Sequence, residues 1–203
     1  MKKILLTGFD PYGDNDINPS EKAMDKLNKK QIEDFEVVGL KVPTVYGKAI
    51  DLTIDKIEKT KPKIVINLGL SEREIVSIER VAININDARI NDNEGNKPVD
   101  EYIDNEGPSA YFSTLPMRKI RNNIRNEGIP AEISNSAGTF VCNNLMYGTL
   151  RYIDKENLKV KNGFIHLPCL PEQVVDKRKP SMSFDLMVKA VMCAIKTTIK
   201  SIE

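Results

Sequence analysis

Apolar residues first cluster in Lys2–Thr7, where Ile4, Leu5 and Leu6 run without a polar break. A short continuous apolar run predicts a strand buried on both faces. It empties into the loop Gly8-Phe9-Asp10-Pro11-Tyr12-Gly13. Asn18-Pro19-Ser20-Glu21 then predicts a helix start. Asn18 can cap, and Pro19 suits the first helical position because its missing N–H would be unpaired there anyway. Phe35–Val42 reads as a second strand, and Tyr46–Lys59 as a helix with Ile50, Ile54 and Ile57 at helical spacing. Lys63–Leu68 is a third strand, apolar enough to lie centrally among parallel neighbours.

The period changes in the middle of the chain. Ile78–Ile85 alternates, with Val81, Ile83 and Ile85 on one side. Residues 91–109, rich in Asn, Asp, Glu, Gly and Pro, read as hairpin or loop. Helices are predicted over Pro116–Glu127, Thr139–Asp154 and Ser181–Ile202, and strands over Ala131–Ser134 and Gly163–Leu167. Strand and helix alternate, which predicts an α/β sheet covered on both faces, with a β-rich insertion near residues 75–110. No repeat, low-complexity tract or linker interrupts the pattern.

Composition narrows the class. A chain of 203 residues buries about 70% of its unfolded surface, so one domain spanning residues 1–203 is expected. Hydrophobic residues at 40% and charged ones at 29% exclude disorder. Thirty basic against 29 acidic side chains leave a net charge of +1, with no electrostatic footprint for nucleic acid or an anionic membrane. The apolar runs are too short to span a bilayer, and the segment after Met1-Lys2-Lys3 is too brief for a signal-peptide core. Three cysteines form no disulfide framework. A cytoplasmic location is expected.

The scarcest polar residue is the most informative. His166 is the one histidine, so a single chain cannot build a zinc site that needs two. It lies at the end of a predicted strand, where open α/β sheets gather reactive groups; a hydrogen-bonded core histidine is the alternative. Cys142 lies in Ser134-Asn135-Ser136-Ala137-Gly138-Thr139-Phe140-Val141-Cys142-Asn143, a turn running into a helix. With Thr139 as N-cap, Cys142 falls in the first turn, where unpaired N–H groups favour a thiolate and can hold an oxyanion. A small buried hydrophobe is the alternative. Cys169 and Cys193 are weaker candidates: Cys193 on the terminal helix reads as packing, with an intersubunit contact as the alternative, and a metal site at Cys169 would need all three cysteines and a carboxylate, so no metal is expected. Glu79 shares strand parity with Val81, Ile83 and Ile85. A buried acid there needs a partner and can orient an imidazole; a solvated strand end, or an ion pair with Arg80 or Arg89, is the alternative.

Taken together, four blocks resemble the pyroglutamyl peptidase I (pyrrolidone-carboxylate peptidase) family from residue 3 to about 195. They are Thr7–Gly13 with Asn18-Pro19-Ser20; Glu79–Asn84 with Asp87–Ile90; Ser134–Asn143; and Gly163–Pro168 with Leu170-Pro171-Glu172-Gln173. The resemblance implies a three-layer α/β/α sandwich with a mixed, mostly parallel central sheet. It also implies a cysteine peptidase that removes N-terminal pyroglutamate (5-oxoproline) from peptides, without metal or organic cofactor. Glu79, Cys142 and His166 match the family's triad, and Arg89 an arginine beside the oxyanion. Phe9, Tyr12, Ile90, Phe140 and Val141 match positions lining the pyroglutamyl pocket. Many members are tetramers, so a homo-oligomer is expected. Two rivals keep the same residues: a Cys-His amidase or acyltransferase acting on another small acyl group, and an inactive protein that binds pyroglutamyl peptides. Two places depart from the family pattern. Tyr12 stands where phenylalanine is usual, and Gly69-Leu70-Ser71-Glu72-Arg73-Glu74 replaces a loop that is often glycine-rich. Arg73 fits that pattern; Glu72 and Glu74 do not.

Overall fold

The computed structural model describes residues 1–202. The strands are β1 (Lys2–Phe9), β2 (Gln31–Ile32), β3 (Phe35–Val42), β4 (Ile64–Leu70), β5 (Val76–Glu79), β6 (Val81–Ile83), β7 (Ala110–Phe112), β8 (Ala131–Ser134) and β9 (Lys161–Leu167). The helices are α1 (Pro19–Leu27), α2 (Lys48–Thr60), α3 (Met117–Asn126), α4 (Val141–Lys155) and α5 (Phe184–Ile199). Seven strands form one sheet in the order β2-β3-β1-β4-β9-β5-β8. Its pairs are parallel except β2–β3 and β5–β9. Helices α1, α3 and α5 cover one face, α2 and α4 the other. The expected three-layer α/β/α sandwich with a mixed, mostly parallel sheet is the observed fold.

Alternation along β1 shows why both faces fill. Ile4 and Leu6 pack with α1 and α5, while Leu5 faces Ile57 of α2. All three are fully buried, as the unbroken apolar run requires. The start of α1 also follows its sequence. Asn18 Oδ1 accepts from the Ser20 N–H at 3.0 Å, and Pro19 takes the first turn. Ser20 Oγ in turn accepts from the Phe9 N–H at 3.0 Å, locking the loop after β1 onto the helix. Gly8 has no substitute there, because a Cβ would sit 2.4 Å from the Ser20 carbonyl oxygen.

The middle differs from the expectation in detail. Ile78–Ile85 is not one strand. It breaks at Arg80, whose N–H goes to the Ser134 carbonyl while its own carbonyl accepts from Ser113. Those two bonds point at different neighbours, so β5 stays in the main sheet and β6 leaves it to pair antiparallel with β7. The β-rich insertion near 75–110 is therefore the hairpin β6–β7 with the loop between its strands. The parity argument for Glu79 fails with the strand. Glu79 is fully buried, whereas Ile83 is exposed and the inward residue of β6 is Ala82.

Candidate active site

The site gathers at the carboxyl ends of β4 and β9. His166 stands opposite Gly69 on β4 and opposite Ser77 on β5. Because β5 runs antiparallel to β9, Glu79 falls opposite Phe164 and diagonal to His166, on the same face of the sheet. The side chains meet: His166 Nδ1 and Glu79 Oε1 are 2.7 Å apart. A carboxylate only accepts, so Nδ1 carries the hydrogen and donates it. Glu79 is wholly buried and His166 is 4% exposed. The Phe164 ring packs beside the imidazole, with centroids 4.8 Å apart.

With Nδ1 engaged, the other ring nitrogen is left for Cys142, whose side chain lies near enough for its charge to act on the imidazole. Cys142 is the second residue of α4. The N–H groups of Val141, Cys142 and Asn143 precede the first intrahelical bond, which runs from the Asn144 N–H to the Phe140 carbonyl. Their partial positive charge surrounds the sulfur. The helix begins later than expected. Phe140, not Thr139, is the N-cap, and its side chain makes no capping bond. The Thr139 hydroxyl is instead drawn to the Asp87 carbonyl at 2.7 Å, tying the turn before α4 to the loop that carries Arg89. Gly69 forms the floor: a Cβ there would lie 2.7 Å from the Phe164 ring and 3.0 Å from Cys142 Sγ.

Burial by itself would lower the His166 pKa, because it penalises the charged ring. The Cys142 thiolate and then the Glu79 carboxylate outweigh it and raise the value to about 9. A raised pKa means the ring holds its proton through neutrality and releases it as pH rises through about 9. As the one histidine, its imidazole NMR signal titrates without overlap. The expected midpoint is near 9 in the native chain and clearly lower in Cys142→Ser, where no thiolate favours the imidazolium. An identical midpoint in both would mean the two side chains are not coupled.

The ion pairs anticipated for Glu79 are not made. Arg80 donates through Nε to Asn135 Oδ1 at 2.7 Å, and Arg89 is exposed on its loop. The partner is Arg73, whose Nη1 donates to Glu79 Oε1 at 2.8 Å. Local pattern does not reveal Arg73 as a Glu79 partner, because the contact depends on how the β4–β5 loop folds back.

Around the thiol lie the remaining candidates. The rings of Tyr12 and Phe140 are 5.9 Å apart, and Tyr46 meets Phe140 edge-on at 5.5 Å. Tyr46 was not anticipated; its hydroxyl donates to the Thr139 carbonyl at 3.3 Å. Burial raises the Tyr12 phenol pKa, and the charges of Cys142 and Arg89 both bear on it, so Tyr12 stands near both. Phe9 and Val141 are buried in the cluster beneath Cys142, while Ile90 is half exposed. Cys169 is buried beside Leu70, Val174 and Tyr12, and Cys193 lies on α5. Among the described residues, no group of three or more His, Cys, Asp or Glu could hold a metal ion. No described helix is long and apolar enough to cross a membrane.

A thiol at a helix head, an imidazole near it and a buried carboxylate behind the ring, mounted on an α/β sheet, define a cysteine-type hydrolase. Residues 2–201 match the pyroglutamyl peptidase family. The chain belongs to that family. It is 50% identical over 201 residues to pyrrolidone-carboxylate peptidase 1 of Caldanaerobacter subterraneus subsp. tengcongensis, covering 98% of each chain. It is 48% identical over 199 residues to the pyrrolidone-carboxylate peptidase of Brachyspira hyodysenteriae, covering 97% of this chain and 98% of the relative. Its fold is similar to Bacillus amyloliquefaciens pyroglutamyl peptidase I, with a TM-score of 0.96, 44% identity and 98% of each chain covered. The pyrrolidone carboxyl peptidase of Thermococcus litoralis is similar too, with a TM-score of 0.96, 41% identity, and 100% of this chain and 95% of that one covered.

Proposed function

We propose that this chain removes N-terminal pyroglutamate from peptides, with Cys142 as nucleophile, His166 as acid and base, and Glu79 as the carboxylate that orients the ring. The observation that carries the reading is the buried contact of the Glu79 carboxylate with the His166 ring, with the Cys142 thiol close enough to act on the same imidazole. The Cys142 thiolate attacks the pyroglutamyl carbonyl, and the charge on its oxygen is met by the first N–H groups of α4, with Arg89 beside them. The amide C–N bond then breaks as His166 gives its proton to the leaving amine. A thioester to Cys142 remains. Water, losing a proton to His166, attacks the thioester and frees pyroglutamate and the thiolate. Every group the sequence needs is a side chain or a backbone N–H, so no metal or organic cofactor is called for.

The acyl end of the substrate is a small uncharged lactam. Tyr12 and Phe140, with Phe9, Val141 and Ile90, offer it an aromatic and branched apolar lining. An ordinary amino terminus would carry an unpaired ammonium group into the same lining, and its desolvation rejects it. Release of a fluorophore from a pyroglutamyl amide, set beside alanyl and N-acetyl amides, tests the reading. Turnover of the pyroglutamyl amide alone, stopped by a thiol alkylator, is the expected result. Preference for another acyl group favours the amidase reading, and binding without turnover favours the inactive one.

Three coarser expectations belong to the same proposal. Residues 1–203 act as one domain, in the cytoplasm, and as a homo-oligomer. Support for self-association comes from the hairpin: Phe112 is 68% exposed and Ile83 lies on the same outward face, leaving apolar surface for a second copy.

A further inference from the structure

The β4–β5 loop turns Arg73 back over the end of β5. Nη1 donates to Glu79 Oε1 at 2.8 Å, and Nη2 donates to the Ser136 carbonyl at 2.8 Å. The same Oε1 takes the His166 ring N–H at 2.7 Å, while Oε2 is buried without a partner. The buried carboxylate is thus held at one oxygen, by two donors. With Arg73 gone, a single bond from the imidazole remains, and the carboxylate is free to turn about it. Ser136 lies in the turn that leads into α4, so one guanidinium spans the acid behind the ring and the approach to Cys142. This bridge needs a fork of two nitrogens, which arginine has and lysine lacks. The guanidinium also keeps its charge throughout turnover, and so offsets the Glu79 charge whenever the ring is neutral.

We infer that Arg73 is a positioning residue for the reaction, holding Glu79 in the orientation that accepts the His166 ring N–H and bracing it against the turn before Cys142. The inference rests on the roles proposed above for Glu79, His166 and Cys142. Arg73 acts through Glu79, so its contribution disappears when Glu79 can no longer serve.

A double-mutant cycle on kcat and KM for a pyroglutamyl amide tests this, with Arg73→Met and Glu79→Gln made singly and together. In the native background Arg73→Met is expected to lower kcat about 10–100-fold, comparable to the loss when outer partners of a metal-ligating imidazole are removed. KM is expected to stay within about threefold. In the Glu79→Gln background the same change is expected to cost less than about threefold, because the two residues share one contact. Arg73→Lys, which keeps the charge but can reach only one acceptor, is expected to recover part of the lost kcat. It serves in the same cycle if Arg73→Met does not fold. An unchanged kcat in the Arg73 variant, or an equal loss in both backgrounds, overturns the inference. If Glu79→Gln alone keeps near-native turnover, the proposed triad falls, and this inference with it. If Glu79→Gln loses turnover while the Arg73 variant does not, only the inference falls.

Discussion

Cys142→Ala is expected to lower kcat on a pyroglutamyl amide by about 10⁶, the scale on which removing the nucleophile of a covalent hydrolase acts. Without the sulfur there is no thioester route, and what remains comes from the oxyanion donors and substrate binding alone. The fold is expected to stand, because the side chain is small and only half buried. Stability should move by about 1 kcal/mol, an ordinary value for one substitution. The contrast matters for Cys169 and Cys193, which are not tied to the imidazole. Alanine at either position is expected to leave kcat within about threefold of native while shifting stability by a similar amount. Measured kcat and melting temperature on the three single variants separate the nucleophile from packing cysteines. A Cys142→Ala protein that still turns over at a tenth of the native rate would remove Cys142 from the mechanism.

Glu79→Gln is expected to lower kcat by about 10⁴, as the analogous carboxylate-to-amide change does in serine proteases. The amide keeps the shape and removes the charge that favours the imidazolium. It can also turn its NH₂ toward Nδ1, which then must accept, and the ring's remaining hydrogen moves to the nitrogen that should face the thiol. The buried 2.7 Å contact makes this the sensitive position. A merely structural ion pair between the buried Glu79 and the partly exposed Arg73 would behave differently, costing stability and leaving turnover intact. The quantity that moves therefore decides between the two. Near-native kcat with a lowered melting temperature would leave the imidazole without its orienting group.

Much of this architecture was readable from periodicity. The runs in β1, β4 and β9 are apolar because they are buried on both faces, and such runs announce themselves. The start of α1 was readable because Asn18 and Pro19 act locally. The errors fall where long-range contacts override local signals. Nothing within Ile78–Ile85 says that Arg80 bonds in two directions and splits the strand. Thr139 has the chemistry of an N-cap, yet the carbonyl of Asp87, 52 positions away, takes its hydroxyl. Residues at the candidate site divide in the same way. Cys142 and His166 stood out by scarcity and by position at element ends. Arg73 and Tyr46 did not, because their contacts come from loops whose course the sequence pattern leaves open. Glu79 was singled out by a parity argument that the broken strand undoes. Its place beside His166 comes instead from the antiparallel register of β5 against β9.

If Cys142 is the nucleophile, blocking its thiol stops turnover. Brief iodoacetamide treatment of the folded protein, followed by peptide mapping and residual activity on a pyroglutamyl amide, tests it most directly. A thiol at a helix head beside an imidazole alkylates faster than a buried one, and burial raises the pKa of Cys169 and of Cys193. Label is expected to appear first on Cys142, with activity falling in step with it, one label abolishing one site. Activity that survives full labelling of Cys142, or that declines in step with Cys169 or Cys193 instead, would contradict it.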